Sequence, residues 1–291
     1  MTLRHLRIYT TVCKTGTLTE AAKKLYIAQP TVSLAISELE QHFGVKLFDR
    51  IANRLHITEH GKEFLHYAEH IIQLYDDMEY HMKNGDVLGS LRIGSSITIA
   101  TCFLPQFITR LKQLHPQLHI HVTVQNSNLI EDAILNNTID IGLIEGQVHT
   151  PHIHYEDFQI DNLVFICPPT HVFAHSSVIH INELENANFL LRERGSAGRE
   201  IFEGLMDTHA ICINRIWEST STQAIIQGVS AGLGLSILPY LLAKEHLDRG
   251  TICAFSLTDI PLIRNYSIIH HSNKFLTQST KDFISICKSI T

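Results

Sequence analysis

The stretch from Leu18 to Ser33 constrains the fold more than any other part of this 291-residue chain. It reads as a helix, a tight turn and a second helix that opens at Pro30. Thr19 is expected to cap the first helix, ahead of the helix formers Ala21 and Ala22. Two small residues in a row let a neighbouring helix come close, and Leu25 closes the inner face. Pro30 falls in the first turn of the second helix, where a missing N–H costs nothing. That helix carries polar atoms on one edge and Val32, Ile36 and Leu39 on the other. A unit of this kind places a helix N-terminus in the major groove of duplex DNA.

The flanks agree with it. Leu3, Leu6, Tyr9, Val12 and Cys13 recur at helical spacing and predict a packing helix. After the unit, Leu47 and Phe48 followed by Arg50, Asn53 and Arg54 predict a short two-stranded wing whose arginines reach phosphates. The net charge of −6 argues against nucleic acid until its distribution is considered. Residues 1–62 hold nine Lys/Arg against five Asp/Glu, whereas the remainder holds 14 against 24. A basic head on an acidic body fits a DNA-binding module joined to something else.

Residues 1 to 60 resemble the winged helix-turn-helix of LysR-type transcriptional regulators. The matching run includes Leu6, Gly16, Thr19, Ala21, Ala22, Leu25, Gln29, Pro30, Val32, Ser33, Leu39, Glu40, Gly44, Val45, Leu47, Phe48, Arg50, Thr58 and Gly61. The resemblance implies that Thr19, Gln29, Pro30, Thr31, Ser33, Leu34, Ser37, Arg50 and Arg54 face DNA, with Gln29, Thr31, Ser33 and Ser37 at the groove edge. Ala28 stands where the family usually has serine, Leu34 and Ala35 replace commonly polar positions, and His60 replaces an alanine. The first three bear on base preference.

Thr58 can cap a helix that begins at Glu59, and Asn84, Gly85 and Asp86 can end it. Between them Phe64, Ala68, Ile71, Tyr75, Met78 and Met82 repeat with heptad spacing. Such a stripe needs a cover, either the chain's own body or, as the favoured reading, a second copy. A two-fold dimer suits a pseudo-palindromic operator. The resemblance implies a dimerising linker helix and a dimer or tetramer, with RNA polymerase as a candidate partner.

From Leu91 the pattern becomes α/β. Strands are expected at residues 91–94, 119–124, 139–144, 163–167, near 212–217, and at 236–239 and 266–270. Helices are expected at 98–114, 129–135, near 198–206, near 221–231 and at 275–290. Alternation of this kind implies a largely parallel sheet in two lobes with a cleft between them. Ligands in such sheets sit at helix N-termini beyond strand ends. Ser95 to Thr98, Gly195 to Arg199 and Ser219 to Thr222 each open a helix with hydroxyls and free N–H groups, a setting that favours a small oxyanion.

Residues 91 to 291 resemble the periplasmic-binding-protein-like effector domain of the same family. The motifs running from Asp140 to Gly146 and from Arg192 to Glu200 are closest to the branch of sulfur-assimilation and carbon-fixation regulators. The expected architecture is therefore α/β. A winged helix-turn-helix occupies residues 1–58 and a linker helix 59–88. A two-lobed effector domain occupies 89–291, with lobe I at 89–161 and 267–291 and lobe II at 162–266. The effector site is expected to include Ser96, Thr98, Asn126, Glu145, Gly195, Ser196, Arg199 and Thr220, and to take an inorganic oxyanion or a small organic acid. Glu145 is awkward for an anion and is expected to hold Arg199 or another base in place, or to favour a protonated ligand.

Other classes find little support. No Gly-x-Ser-x-Gly elbow, complete dinucleotide fingerprint or phosphate-binding loop is present, so no catalytic residue and no cofactor is expected. No apolar run approaches a membrane span and no signal peptide opens the chain, so the expected compartment is the cytoplasm. Six widely spaced cysteines without a Cys-x-x-Cys argue against a zinc ribbon. The 20 histidines, notably His119 with His121 and His149 with His152 and His154, and Cys102 beside the cleft, leave a metal- or redox-sensing regulator as the alternative, although no metal site is assigned.

Overall fold

A computed structural model describes residues 1–51, 54–84, 89–176 and 178–289. It divides into two compact units, one built from Met1–Gly89 with Leu135–Asn137 and one from Ser90–Ile134 with Thr138–Thr291.

The first unit begins with three helices, α1 (Leu3–Thr15), α2 (Leu18–Leu25) and α3 (Gln29–Phe43). They bury Leu6, Ile8, Tyr9, Val12, Ala21, Ala22, Val32, Ala35, Ile36 and Leu39 around one core. Ala35 is small because it lies inside this core rather than on the groove face. The cap of α2 differs from expectation. Thr17, not Thr19, takes the Glu20 amide on its hydroxyl at 3.2 Å, and Thr19 is an exposed residue of the first turn. A hydroxyl caps the amide three residues on, so the true cap is two positions earlier. At α3 the N-cap is Ala28, which offers no side-chain acceptor, and Pro30 is the second helical residue.

Two strands follow, β1 (Phe48–Ile51) and β2 (Arg54–Ile57), antiparallel with Arg50 opposite Leu55. Glu40 at the end of α3 fastens this wing. Its carboxylate accepts the amides of Leu47 at 3.0 Å and Phe48 at 3.3 Å and pairs with Lys46 at 2.5 Å. Burial opposes the charge on Glu40, but these donors hold its carboxyl below the usual range.

Helix α4 (Glu59–Asn84) is capped by Thr58, whose hydroxyl accepts the Gly61 amide at 2.9 Å. Gly61 is required there: a Cβ would stand 2.3 Å from the Leu47 carbonyl oxygen, and Tyr9 donates its hydroxyl to the Gly61 carbonyl at 2.7 Å. The heptad stripe splits in two. Phe64 and Ala68 join the core of the head, while Ile71, Tyr75 and Met78 are exposed together with Tyr67 and Leu74. The side chain of Met82, and Gly85 and Asp86, lie outside the described residues.

The second unit is α/β. Strands β3 (Ser90–Ser95), β4 (His119–Val124) and β5 (Ile141–Glu145) run parallel, with α5 (Ile97–Cys102), α6 (Leu104–Leu114) and α7 (Ser127–Leu135) between them. The single helix expected at 98–114 is broken at Phe103, just before Pro105 enters the first turn of α6. Strand β6 (Ile153–Cys167) is three times longer than the five residues expected. Its first half is exposed and polar, so no apolar run announced it. After it come the short β7 (Val178–Ile179), β8 (Asn188–Arg192), α8 (Ala197–Thr208), β9 (Asn214–Ser219), α9 (Thr222–Ser230), β10 (Ser236–Pro239), α10 (Tyr240–Asp248) and β11 (Cys253–Leu257). The chain closes with β12 (Ile263–His271) and α11 (Gln278–Ser289). β8, α10 and β11 were not expected from the sequence.

Strands β6 and β12 are antiparallel partners that carry the chain from one lobe to the other. β12 also pairs with β5 of lobe I, and β6 with β10 and β11 of lobe II. One cluster around Phe107, Leu143, Tyr266 and Phe283 fills lobe I, and a second around Phe165, Phe189, Phe202 and Phe255 fills lobe II.

Because Ala28 already has extended backbone angles, Ala28→Ser should supply the missing cap and raise the stability of the head by about 1 kcal/mol. Urea denaturation of the head signal checks this, and an unchanged midpoint would rule out a cap at this position.

Candidate functional site

A buried ion cluster sits on the crossing strands where the two lobes meet. Arg264 of β12 is 5% exposed. Its guanidinium meets Glu145, the last residue of β5, at 2.7 Å and Asp161 of β6 at 2.6 Å. It also donates to the Thr98 hydroxyl at 3.3 Å. The Glu145 carboxylate accepts the Ser96 hydroxyl at 2.9 Å and the Thr98 amide at 3.2 Å. Two carboxylates therefore share one guanidinium. Burial pushes the Asp161 carboxyl above its usual range despite Arg264 beside it. The Tyr266 hydroxyl is buried next to Asp161 without reaching hydrogen-bond geometry, and burial and that carboxylate raise its pKa.

The lobes are closed against each other above this cluster. Asn126 donates its amide to Glu193 and to the Arg194 carbonyl, both at 3.3 Å, and the Asn128 amide reaches the Gly195 carbonyl at 3.4 Å. Gly146, with φ +85°, lies so near the start of α8 that a Cβ would meet Ala197 Cβ at 2.9 Å. Ser196, the N-cap of α8, is 7% exposed and makes no side-chain capping bond.

Of the eight expected effector residues, Ser96, Thr98 and Glu145 gather directly around Arg264. Asn126, Gly195 and Ser196 lie along the lobe contact. Two depart from expectation. Arg199 binds Glu203 at 3.0 Å, the Arg192 carbonyl at 2.9 Å and Glu218 at 2.5 Å, so its charge is spent inside lobe II, and the base that Glu145 holds is Arg264. Thr220 is exposed and outside the cluster; Ser221 caps α9 and Arg192 holds Thr222. Arg264 itself stands in no sequence motif, and only the pairing of β12 with β6 brings it opposite Asp161.

In the head, Gln29, Pro30, Leu34 and Ser37 are exposed on α3, and Thr31 and Ser33 are half-buried. Arg50 and Arg54 occupy the wing strands, but their side chains, and Asn53, lie outside the described residues. Among the described residues no group of three His, Cys, Asp or Glu side chains is disposed to hold a metal. His149 binds Glu131 and Glu200 instead, and His154 packs on His270. Burial, then Asp161 and Glu145, push the Cys102 thiol up, away from the thiolate that an oxidant sensor needs. No described helix is long and apolar enough to cross a membrane.

The family pattern for the bacterial regulatory helix-turn-helix protein, lysR family, matches residues 3–62, and that for the LysR substrate binding domain matches residues 84–290. The chain belongs to the LysR family of DNA-binding transcription regulators, which are not enzymes. It is 35% identical over 287 residues to the uncharacterized HTH-type transcriptional regulator YeiE of Escherichia coli (strain K12), covering 99% of this chain and 97% of that one. It is 28% identical over 285 residues to the RuBisCO operon transcriptional regulator of Allochromatium vinosum, covering 97% and 94%. That likeness agrees with the branch to which the motifs point. The regulatory domain of CcmR from Synechocystis PCC6803, solved in complex with 2-PG, matches with a TM-score of 0.65 at 25% identity, over 70% of this chain and 97% of that one.

Removing the guanidinium leaves two carboxylates buried without their counter-charge. Arg264→Met should therefore cost about 3–5 kcal/mol of effector-domain stability. Chemical denaturation measures it, and a loss below 1 kcal/mol would show that the cluster is not held by charge.

Proposed function

We propose that the effector of this regulator is a small oxyanion or organic acid that binds between the lobes and takes the place of the Glu145 carboxylate. The observation that carries the reading is Glu145 itself. It is a carboxylate received by a hydroxyl, a backbone amide and a buried guanidinium, the donor set that an oxyanion ligand needs. Ser96, Thr98 and Arg264 would hold the anion from lobe I, and Ser196 with the free amides of α8 from lobe II. Asp161 already leaves the cluster with an excess carboxylate, so an anion enters only if Glu145 swings out or a proton accompanies it. The 2-PG complex of CcmR supports a small ligand on this scaffold.

The same proposal covers the head. Gln29, Thr31, Ser33 and Ser37 read base edges, Leu34 offers an apolar contact suited to a thymine methyl, and Arg50 and Arg54 reach phosphates. The exposed apolar stripe of α4 at Ile71, Leu74, Tyr75 and Met78 is covered by a second copy, giving a dimer, or a tetramer of two, on a pseudo-palindromic operator in the cytoplasm. RNA polymerase would be its further partner at the promoter.

Thermal-shift screening against sulfite, sulfate, thiosulfate, phosphate and small organic acids tests the effector reading. At least one anion should raise the melting temperature of the full chain, since stabilisation grows with ligand excess over Kd. Glu145→Gln should tighten that anion several-fold by removing the competing charge. No shift with any anion in either protein would reject the class. For the head, Gln29→Ala should cost about 1–3 kcal/mol at the operator and relax base choice, as read by footprinting. An intact sequence preference would remove Gln29 from the groove.

A further inference from the structure

His149, in the segment between β5 and β6, stands between the two lobes. Its backbone amide donates to Glu131 of α7 at 3.0 Å, and its ring nitrogen Nδ1 lies 3.0 Å from the other oxygen of the same carboxylate. Its other ring nitrogen, Nε2, lies 2.9 Å from Glu200 of α8. Glu131 is 4% exposed and belongs to lobe I, whereas Glu200 is exposed and belongs to lobe II. Carboxylates only accept, so both ring nitrogens must carry a proton for both contacts to form. A neutral ring can serve one carboxylate and must turn a lone pair toward the other.

We propose that His149 is a proton-operated latch between the lobes: the imidazolium ties α8 to α7, and loss of its proton frees α8 while the ring stays anchored to Glu131. The asymmetry decides which side lets go. Glu131 is bound through both the main chain and the ring, and Glu200 through one exposed contact. Glu131 and Glu200 are the charged groups that act on the ring. Their hydrogen bonds, Glu131 first, hold the imidazole above its ordinary pKa, against a smaller effect of burial. The raised value sets the sign. The contribution to closure is complete below the pKa of the ring in the open lobes, which Glu131 still holds above that of a free imidazole, and is lost as pH rises through the higher value in the closed lobes. An effector bound by closed lobes is then held more tightly in acid.

The latch does not depend on the identity of the effector, and its test needs none. The Asn128 amide, which reaches Gly195 across the lobes, reports closure through hydrogen exchange. In the unliganded full-length protein, protection at Asn128, corrected for the intrinsic rate, should fall several-fold between about pH 6 and about pH 9. His149→Gln and Glu200→Gln should each give a lower protection that does not change over that range. Glu200 is exposed, so its variant folds even where the histidine change disturbs α7. A flat profile in the unaltered protein, or the same pH dependence in Glu200→Gln, would overturn the latch and leave the anion site untouched.

Discussion

Arg264 ties the effector domain together. It sits on β12, one of the two strands that pass between the lobes, and pairs with Asp161 on the other. It also reaches Glu145 at the end of β5. A guanidinium so deeply buried is tolerable only if acceptors surround it, because taking an ion out of water is costly. Its partners come from β5, β6 and α5, so the crossing strands, the end of the parallel sheet and the first helix of lobe I must be assembled together. The hinge region of the domain and its most polar buried site are one object.

That arrangement sets the most polar buried site of the domain beside the contact between its lobes. Glu145 answers donors that would otherwise be unsatisfied, and Gly146, the next residue, lets lobe I touch the start of α8. A ligand that competes with Glu145 acts one residue away from the lobe contact. It would shift the lobes only by binding one arrangement better than the other. His149 lies farther along the same contact, between a carboxylate of each lobe.

The head was largely legible because its information is local. Helix spacing, a proline in a first turn and a cap hydroxyl act over three or four residues. Even so, Thr17 rather than Thr19 is the cap, since two threonines two apart both fit the rule and geometry selects one. The stripe on α4 was legible as a stripe, but its division between a buried start and an exposed remainder depends on where α1 packs. In the body most apolar strands announced themselves, but β8 and β11 did not, nor did the mixed, mostly exposed first half of β6.

By itself the sequence determined the family, the helix-turn-helix and the order of most elements, and it pointed to Ser96, Thr98 and Glu145. It did so because hydrophobic periodicity and turn chemistry are short-range. Which cation stands between Glu145 and Asp161 is settled by long-range packing. Arg199 stands in the more suggestive motif, yet its charge is consumed by Glu203 and Glu218. Arg264 stands in no motif and lies 103 residues from Asp161, and strand pairing brings the two together. Charge partnership across that separation is a property of register and burial, which no local pattern encodes.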